Sequence, residues 1–466
     1  MRVPDFSRRD FVAAATITGL GSVAGAAPND DIVAGLDSID TMPNVCAHEH
    51  WGSIPSIAPD DVGFVADNIA GAQSDETNLF DFLLCPYLNG FLNMGGFPGG
   101  QLARDSGYAS PYEMAKDKPA EVLRAVKPHL ENLRVAGTLT CTTLGIRELY
   151  GFDIDTVDER NFADISAEIN TSYRDIFAWY RRAMAMAHFS DLIRPTGLSF
   201  MYEEQDHARA ARELEFTRPI LRIDDFITAL PEPNSRVRYC IEKTGVEPQD
   251  AASWRAFLRR VFELAAEKGN VGIKQLQAYS RELLFLPRED ADVDFVGGGD
   301  TRPFQDWVLH ECLKLANEYG WPHQIHVGTD NLPDSNPFGL RNLFGMYPRV
   351  KFVMIHTWPF LTESAHIAHH TPNAYIDTCW LPILSPGHFE QALRTYLGYV
   401  PAHKIMLSHD ATSVEMAAGS ARLTRTHLKK ILSERIRDGW MDETQALRLA
   451  KKMLHDNAVD VYALGG

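Results

Sequence analysis

The second half of the chain alternates short apolar, β-branched runs with longer segments whose apolar residues recur every three to four positions. Short runs of that kind read as buried strands, and the longer periodicity reads as amphipathic helix. Strands are predicted at Asn44–Ala47, Gly137–Thr142, Pro219–Ile223, Val271–Gln277, His323–Val327, Lys351–Ile355, Ala374–Asp377 and Lys404–Leu407. Helices are predicted at Phe304–Tyr319, Phe338–Tyr347, Thr362–His370, His388–Tyr396, Ser413–Asp438 and Glu443–Ala463. Alternating elements of this kind build βαβ units on a parallel sheet. Eight of them favour an α/β fold of the (β/α)8 TIM-like barrel type over an open doubly wound sheet. No glycine-rich dinucleotide loop follows any strand, which weakens the open-sheet alternative.

The first half is less regular. A segment over 51–135, with a Gly/Pro/Asn-rich stretch from Pro86 to Gly100, is expected as a cap insertion after strand one. A second, mostly helical insertion is expected after strand two, over 162–216. Insertions at the βα loops of a barrel lie over its active face, so both are expected to shape a pocket.

Residues 1–27 read as an address rather than as structure. Arg8-Arg9 precedes a short apolar run, and Ala24-Gly25-Ala26 offers a cleavage site. Ser7-Arg8-Arg9-Asp10-Phe11 resembles the twin-arginine export motif, so a periplasmic or secreted protein is expected, with residues 28–466 as one barrel unit. The apolar run is too short for a membrane span. The chain carries 62 acidic against 45 basic residues, a net charge of -17, which argues against nucleic acid as a partner. The six cysteines form no C-x-x-C pair, so a zinc ribbon or thioredoxin-like chemistry is not expected, and disulfides stay open.

The chemistry gathers at strand ends. His48 and His50 close the first strand two residues apart, which puts two imidazoles on one side. His326 ends the fifth strand, His356 the sixth, and Asp410 follows the eighth. In a parallel barrel these positions converge on one mouth. Buried imidazoles and a carboxylate there need a partner, and a metal ion satisfies them together. Nitrogen and oxygen ligands suit zinc, with manganese, iron or cobalt as competitors. Lys274, on the fourth strand, admits two readings. It is a carbamylated bridge between two metals with His326 and His356 on the second ion, or a cation beside one metal with His356 as acid/base. One ion per chain is favoured over two. Tyr279, Arg281, Trp51 and Trp358 are the candidate substrate contacts, with Trp380 as a further pocket wall.

The ordered set His-x-His, Lys, His, His and Asp resembles the amidohydrolase superfamily, and within it the amidohydrolase-2 family. Ile273-Lys274-Gln275, Gln324-Ile325-His326-Val327-Gly328, Ile355-His356-Thr357-Trp358-Pro359-Phe360 and the ending from His455 to Tyr462 are similar to the barrel domain that some organisms fuse to glutamine synthetase. The resemblance covers 40–52 and 219–466. It implies a distorted barrel, with His48, His50, His326 and Asp410 as metal ligands and His356 as a general acid/base; in the expected mechanism Asp410 also takes the proton of the attacking water, which makes Asp410 and His356 the catalytic residues. Ser408-His409 stands where a small pair is expected before the aspartate.

The expected reaction is hydrolysis of a C–N or C–O bond in a small, carboxylate-bearing substrate. Non-oxidative decarboxylation or sugar-acid isomerisation on the same site is the alternative, and a binding protein with a structural metal is a third reading. A small-molecule substrate, no membrane span and a homo-oligomer complete the expectations.

Overall fold

The computed structural model describes residues 32–51, 76–195, 212–329 and 334–465. Eight strands follow one another in chain order: β1 (Asn44–Cys46), β2 (Phe189–Pro195), β3 (Thr217–Arg222), β4 (Ile273–Gln275), β5 (His323–Val327), β6 (Phe352–His356), β7 (Ala374–Asp377) and β8 (Ile405–Met406). Every neighbouring pair is parallel. Beyond β8 the chain returns to β1. Asp410 N donates to His48 O at 2.9 Å, and His50 N donates to Ala411 O at 3.1 Å. The sheet therefore curls until its first strand meets the segment after its last, as a TIM-like barrel requires.

Ten helices are used below: α1 (Pro86–Met94), α2 (Gly137–Tyr150), α3 (Phe162–Tyr173), α4 (Ile176–Ala187), α5 (Ala251–Glu267), α6 (Arg302–Tyr319), α7 (Leu361–His370), α8 (Pro386–Tyr396), α9 (Val414–Arg437) and α10 (Asn457–Tyr462). Strand alternation sorts the core. Val45, Ala47, Ile193, Ile220, Val353, Ile355 and Met406 form an inner cluster, into which α10 inserts Tyr462. Ile273, Ile325, Phe352, Met354 and Ile376 face outward onto α5, α6, α7 and α8. A separate cluster joins β1 and β2 to α1, α2, α3, α4 and α9.

One predicted strand is a helix. Gly137–Thr142 begins α2, and the second strand is Phe189–Pro195. Four threonines in or beside the run 137–142 gave it a β-like composition. Its buried residues Thr138, Thr142, Gly145 and Leu149 instead recur at helical spacing. Thr140 and Thr142 satisfy their hydroxyls on the carbonyls of Ala136 and Thr138, one helical turn back. The true strand carried Asp191 and Arg194, which hid it from a search for apolar runs. The expected insertion at 162–216 therefore contains β2, and all the described helices from Leu79 to Ala187 lie between β1 and β2.

That helical segment is fastened to α9. A Cβ at Gly145 would lie 1.7 Å from Glu415 O, and one at Gly419 would lie 1.8 Å from Cys141 O. Only hydrogen at both positions lets α2 and α9 touch backbone to backbone. Beside the crossing, the buried Glu415 carboxylate accepts from Tyr150, Tyr173 and Trp179 at 2.7–3.2 Å.

All six cysteines are buried and free. No helix among the described residues is long and apolar enough to cross a membrane. The predicted export segment, residues 1–27, lies outside the described residues.

Candidate metal centre

Asp410 is the hub of the barrel mouth. Its Oδ1 lies 3.1 Å from His50 Nε2 and 3.6 Å from His48 Nε2, and its Oδ2 lies 3.5 Å from His356 Nε2. His48, His356 and Asp410 are all buried and present ligand atoms within 4.8 Å of one another.

The supporting residues fix how these rings are protonated. Gln324 Nε2 donates to Ala47 O at 2.6 Å and to Tyr462 Oη at 2.7 Å, so its carbonyl oxygen must face His48 Nδ1, 2.7 Å away. An amide oxygen only accepts, so Nδ1 carries the proton of neutral His48 and Nε2 is left as a lone pair. That Nε2 is buried with no hydrogen-bond partner. His356 is set the same way, because its Nδ1 meets the Cys379 carbonyl at 2.9 Å. Burial holds His48 well below the ordinary imidazole range and pulls His356 down to about 4, so both rings are neutral at pH 7. Burial works against the charge of Asp410, whereas positive charge placed at His48, His50 or His356 pulls its carboxyl well below the usual carboxylate range, so the carboxylate calls for a cation there. Two lone pairs thus face an ionised carboxylate across some 3.5 Å. The arrangement is repulsive as it stands, and a cation between them reverses every term. The donor set fits a divalent metal.

Aiming His356 requires a local departure from strand geometry. In β6, Phe352 and Met354 face outward and Val353 and Ile355 face inward, so simple alternation would send His356 outward. Its φ of +68° turns the ring into the mouth instead. Thr329, Thr357, Trp380 and Asp410 are also left-handed, so five of the seven such non-glycine residues described stand around this mouth. Each costs on the order of 1–3 kcal/mol, and concentrations of this kind mark functional sites.

His326 and Lys274 share the inner side of the barrel with Gln324. Lys274 and Gln324 are side by side in the β4–β5 register. The His326 ring lies 4.3 Å from His356, with Nε2 on Thr329 Oγ1 at 2.6 Å and Nδ1 buried without a partner. The sequence reading put His326 among the ligands and His356 beside them. The distances put His356 on the carboxylate and His326 one ring further out. Lys274 is buried, and burial with Arg222 nearby lowers its ammonium to about 8. No hydrogen bond or ion pair engages it among the described residues.

Two expected substrate contacts, Arg281 and Trp51, are engaged in the core, and Trp358 has one face on a neighbouring ring. The buried Arg281 guanidinium binds Asp306 at 2.8 Å, Gln305 at 3.0 Å and Leu284 O at 2.6 Å, and lies 4.4 Å over Phe285. It is a structural cation, because Asp306 on α6 was an equally near counter-ion that its position after β4 did not reveal. Trp51 is fully buried against Tyr180 in the core of the helical segment. Trp358 stacks on His388, 4.5 Å away. Tyr279 does reach the mouth, with its ring 4.6 Å from His326. Trp380 lies 5.4 Å from His356.

Tyr87 was not foreseen. It comes from α1, stands 5.3 Å from Trp380 and donates to Asp410 Oδ1 at 3.4 Å. Nothing in its irregular surroundings marked it. Gln324 did carry a signal, since it sits two residues before His326 on the same strand face. His409, the unexpected neighbour of Asp410, is packed behind it, with Nε2 on Asn44 at 2.7 Å and Nδ1 on Ser420 at 3.1 Å. Glu49 is buried at the seam and accepts from Ala411 N.

Among solved structures, glucuronate isomerase of Caulobacter crescentus is similar over 95% of this chain and 97% of its own, with TM-score 0.73 and 16% identity. A uronate isomerase of Bacillus halodurans covers 92% of this chain and 95% of its own, with TM-score 0.69 and 14% identity. Likeness at these identities concerns the fold. Protein fluG of Emericella nidulans is 27% identical over 258 residues, 47% of this chain, and the match spans 30% of that protein's length. The amidohydrolase family model matches residues 291–464, the stretch that carries β5 to β8 with His326, His356 and Asp410. The C-terminal part of the chain is thus similar to the amidohydrolase family, and the whole described chain shares a TIM-like barrel fold with these solved structures.

Proposed function

We propose that the chain is a metal-dependent hydrolase that cleaves a C–N or C–O bond of a small, carboxylate-bearing substrate. The observation that carries this reading is the convergence of two protonation-fixed imidazole lone pairs on Asp410. His48, His356 and Asp410 would hold one divalent ion, zinc before manganese, iron or cobalt, with His50 on the same carboxylate. When bound, such an ion supplies Lewis acidity toward a carbonyl oxygen and toward water.

The protein groups do the rest. Asp410 accepts the proton of the attacking water and returns it to the leaving group. His326, one ring removed from the ion, is the neutral imidazole placed to relay a proton. The Lys274 ammonium pairs with the substrate carboxylate, the role first expected of Arg281. Tyr87, Trp380 and Tyr279 wall the mouth and keep bulk water from the reacting bond. The helices between β1 and β2 act as the cap, since α1 brings Tyr87. Export directed by residues 1–27 belongs to the same reading.

Sugar-acid isomerisation is the second reading, favoured by the whole-length likeness to a glucuronate isomerase. The test uses metal-counted enzyme on a panel of amides, esters, lactones and uronic acids. Stoichiometric release of amine or alcohol is expected. Interconversion of an aldose and a ketose acid without uptake of water would replace the hydrolase with the isomerase. Loading with ¹³C-bicarbonate addresses Lys274: a carbamate carbon signal together with two metals per chain would overturn its assignment as the substrate's counter-charge.

A further inference from the structure

A second group of imidazoles lies far from the mouth. His366, His369 and His370 occupy the last turns of α7, and His366 and His370 are one helical turn apart on one face. Their ring centroids are 4.4 Å apart. Two histidines at this spacing on a helix are a recurrent way to grip a transition ion. Here the nitrogens also converge on a single point. The Tyr399 hydroxyl lies 3.5 Å from His366 Nδ1 and 3.3 Å from His370 Nε2.

Tyr399 is held in place independently. Its ring stacks on His369 at 4.3 Å with an interplanar angle of 1°, and its carbonyl meets His369 Nδ1 at 2.8 Å. His369 therefore positions Tyr399, while His366 and His370 present nitrogens to the same spot. The spot is at the C-terminal end of a helix, where the backbone carbonyls favour positive charge. Burial first, then His366 and His369 with Arg341, lowers the His370 imidazole and leaves its nitrogen a lone-pair donor.

We infer that His366 and His370 form a second, surface site for a divalent transition ion of the nickel, copper or zinc class, with water completing the coordination in place of the Tyr399 hydroxyl. The site is separate from the barrel mouth. α7 starts five residues after His356 and runs back toward the opposite end of the barrel, where β7 begins at Ala374. Its occupancy is therefore expected to be independent of turnover.

The experiment titrates nickel into holoenzyme whose catalytic ion is counted before and after. Wild type is expected to take up one nickel more per chain than His366→Gln/His370→Gln, with the catalytic ion undisturbed in both. His369→Gln and Tyr399→Phe, which leave the two nitrogens in place, are expected to keep the extra equivalent. Nickel is also expected to raise the melting temperature of wild type and not of the double variant. Equal nickel counts in wild type and the double variant would overturn the site. So would loss of the equivalent in Tyr399→Phe alone, which would make the hydroxyl and not the helix pair the ligand.

Discussion

Gln324→Leu removes the acceptor that fixes His48. In the native chain Gln324 is itself fixed by Ala47 O and Tyr462 Oη, so its oxygen has one available direction, toward His48 Nδ1. Leucine leaves His48 free to carry its proton on either nitrogen and to rotate. Partners of this kind behind a metal ligand are worth about 10–100-fold in affinity. At about 1.4 kcal/mol per tenfold, the expected loss is about 1.4–2.8 kcal/mol of ion binding. Folding stability falls separately, because a buried carbonyl, a hydroxyl and an imidazole N–H each lose a partner at about 1–3 kcal/mol. Gln324→Glu separates the two effects. It keeps an acceptor for His48 and gives up the amide donors, so it should lose stability while retaining the ion. The assay is competition for zinc between metal-free protein and a chromophoric chelator, with melting curves of the metal-free forms alongside. A folded Gln324→Leu protein that binds zinc within twofold of wild type would refute the argument that the imposed tautomer builds the site.

Three further outcomes are expected. His356→Asn should strip the ion, whereas His326→Asn should keep the ion and lose turnover. Metal counts and activity measured together check this, and the reverse result would restore the ligand set read from the sequence. His323 is buried on the outer side of β5, and burial alone brings it down to about 3. The unfolded chain takes up that proton near pH 6.5 and the folded chain does not, so stability is lost as pH falls from about 6.5 toward 3. The slope is at most about 1.4 kcal/mol per pH unit for this one group. His323→Leu should flatten urea midpoints across that window by up to this amount, and an unchanged slope would show that the ring does not stay neutral. Arg281→Met should cost on the order of 2–3 kcal/mol in denaturant unfolding, less than a fully orphaned charge because Arg288 still pairs with Asp306 at 2.9 Å. Turnover measured below the transition should be close to that of wild type.

The parts of the fold that could be read were those where burial imposes composition. β5 and β7 were located to the residue, because each is short, bounded by Pro, Asn or Gly, and fully or nearly fully buried, and β7 is an apolar run closed by Asp377. β2 is the opposite case. Arg194, beside Glu213 at 3.0 Å, and Asp191 are accommodated by partners from distant sequence, so no local pattern shows that strand. The candidate site divides the same way. Strand ends announced His48, His50, His326, His356 and Asp410. Which imidazole touches Asp410 is decided by a left-handed backbone at His356, and period-two reasoning cannot foresee that. Tyr87 depends on how a loop-rich segment is laid across the mouth, and Arg281 on a counter-ion one helix away.

Glu49 and Ala411 meet across 362 positions of chain. The barrel closes at that seam, and the proposed ligands stand on both of its banks. During synthesis the first strand emerges with its two histidines and has no partner for them until nearly the whole polypeptide has followed. Contacts between such remote segments form late, because the intervening chain must be ordered first. Any ion caught earlier by His48 and His50 alone would be weakly held and exchangeable. Selection of the proposed metal would thereby be deferred to the last step of folding, when Asp410 arrives.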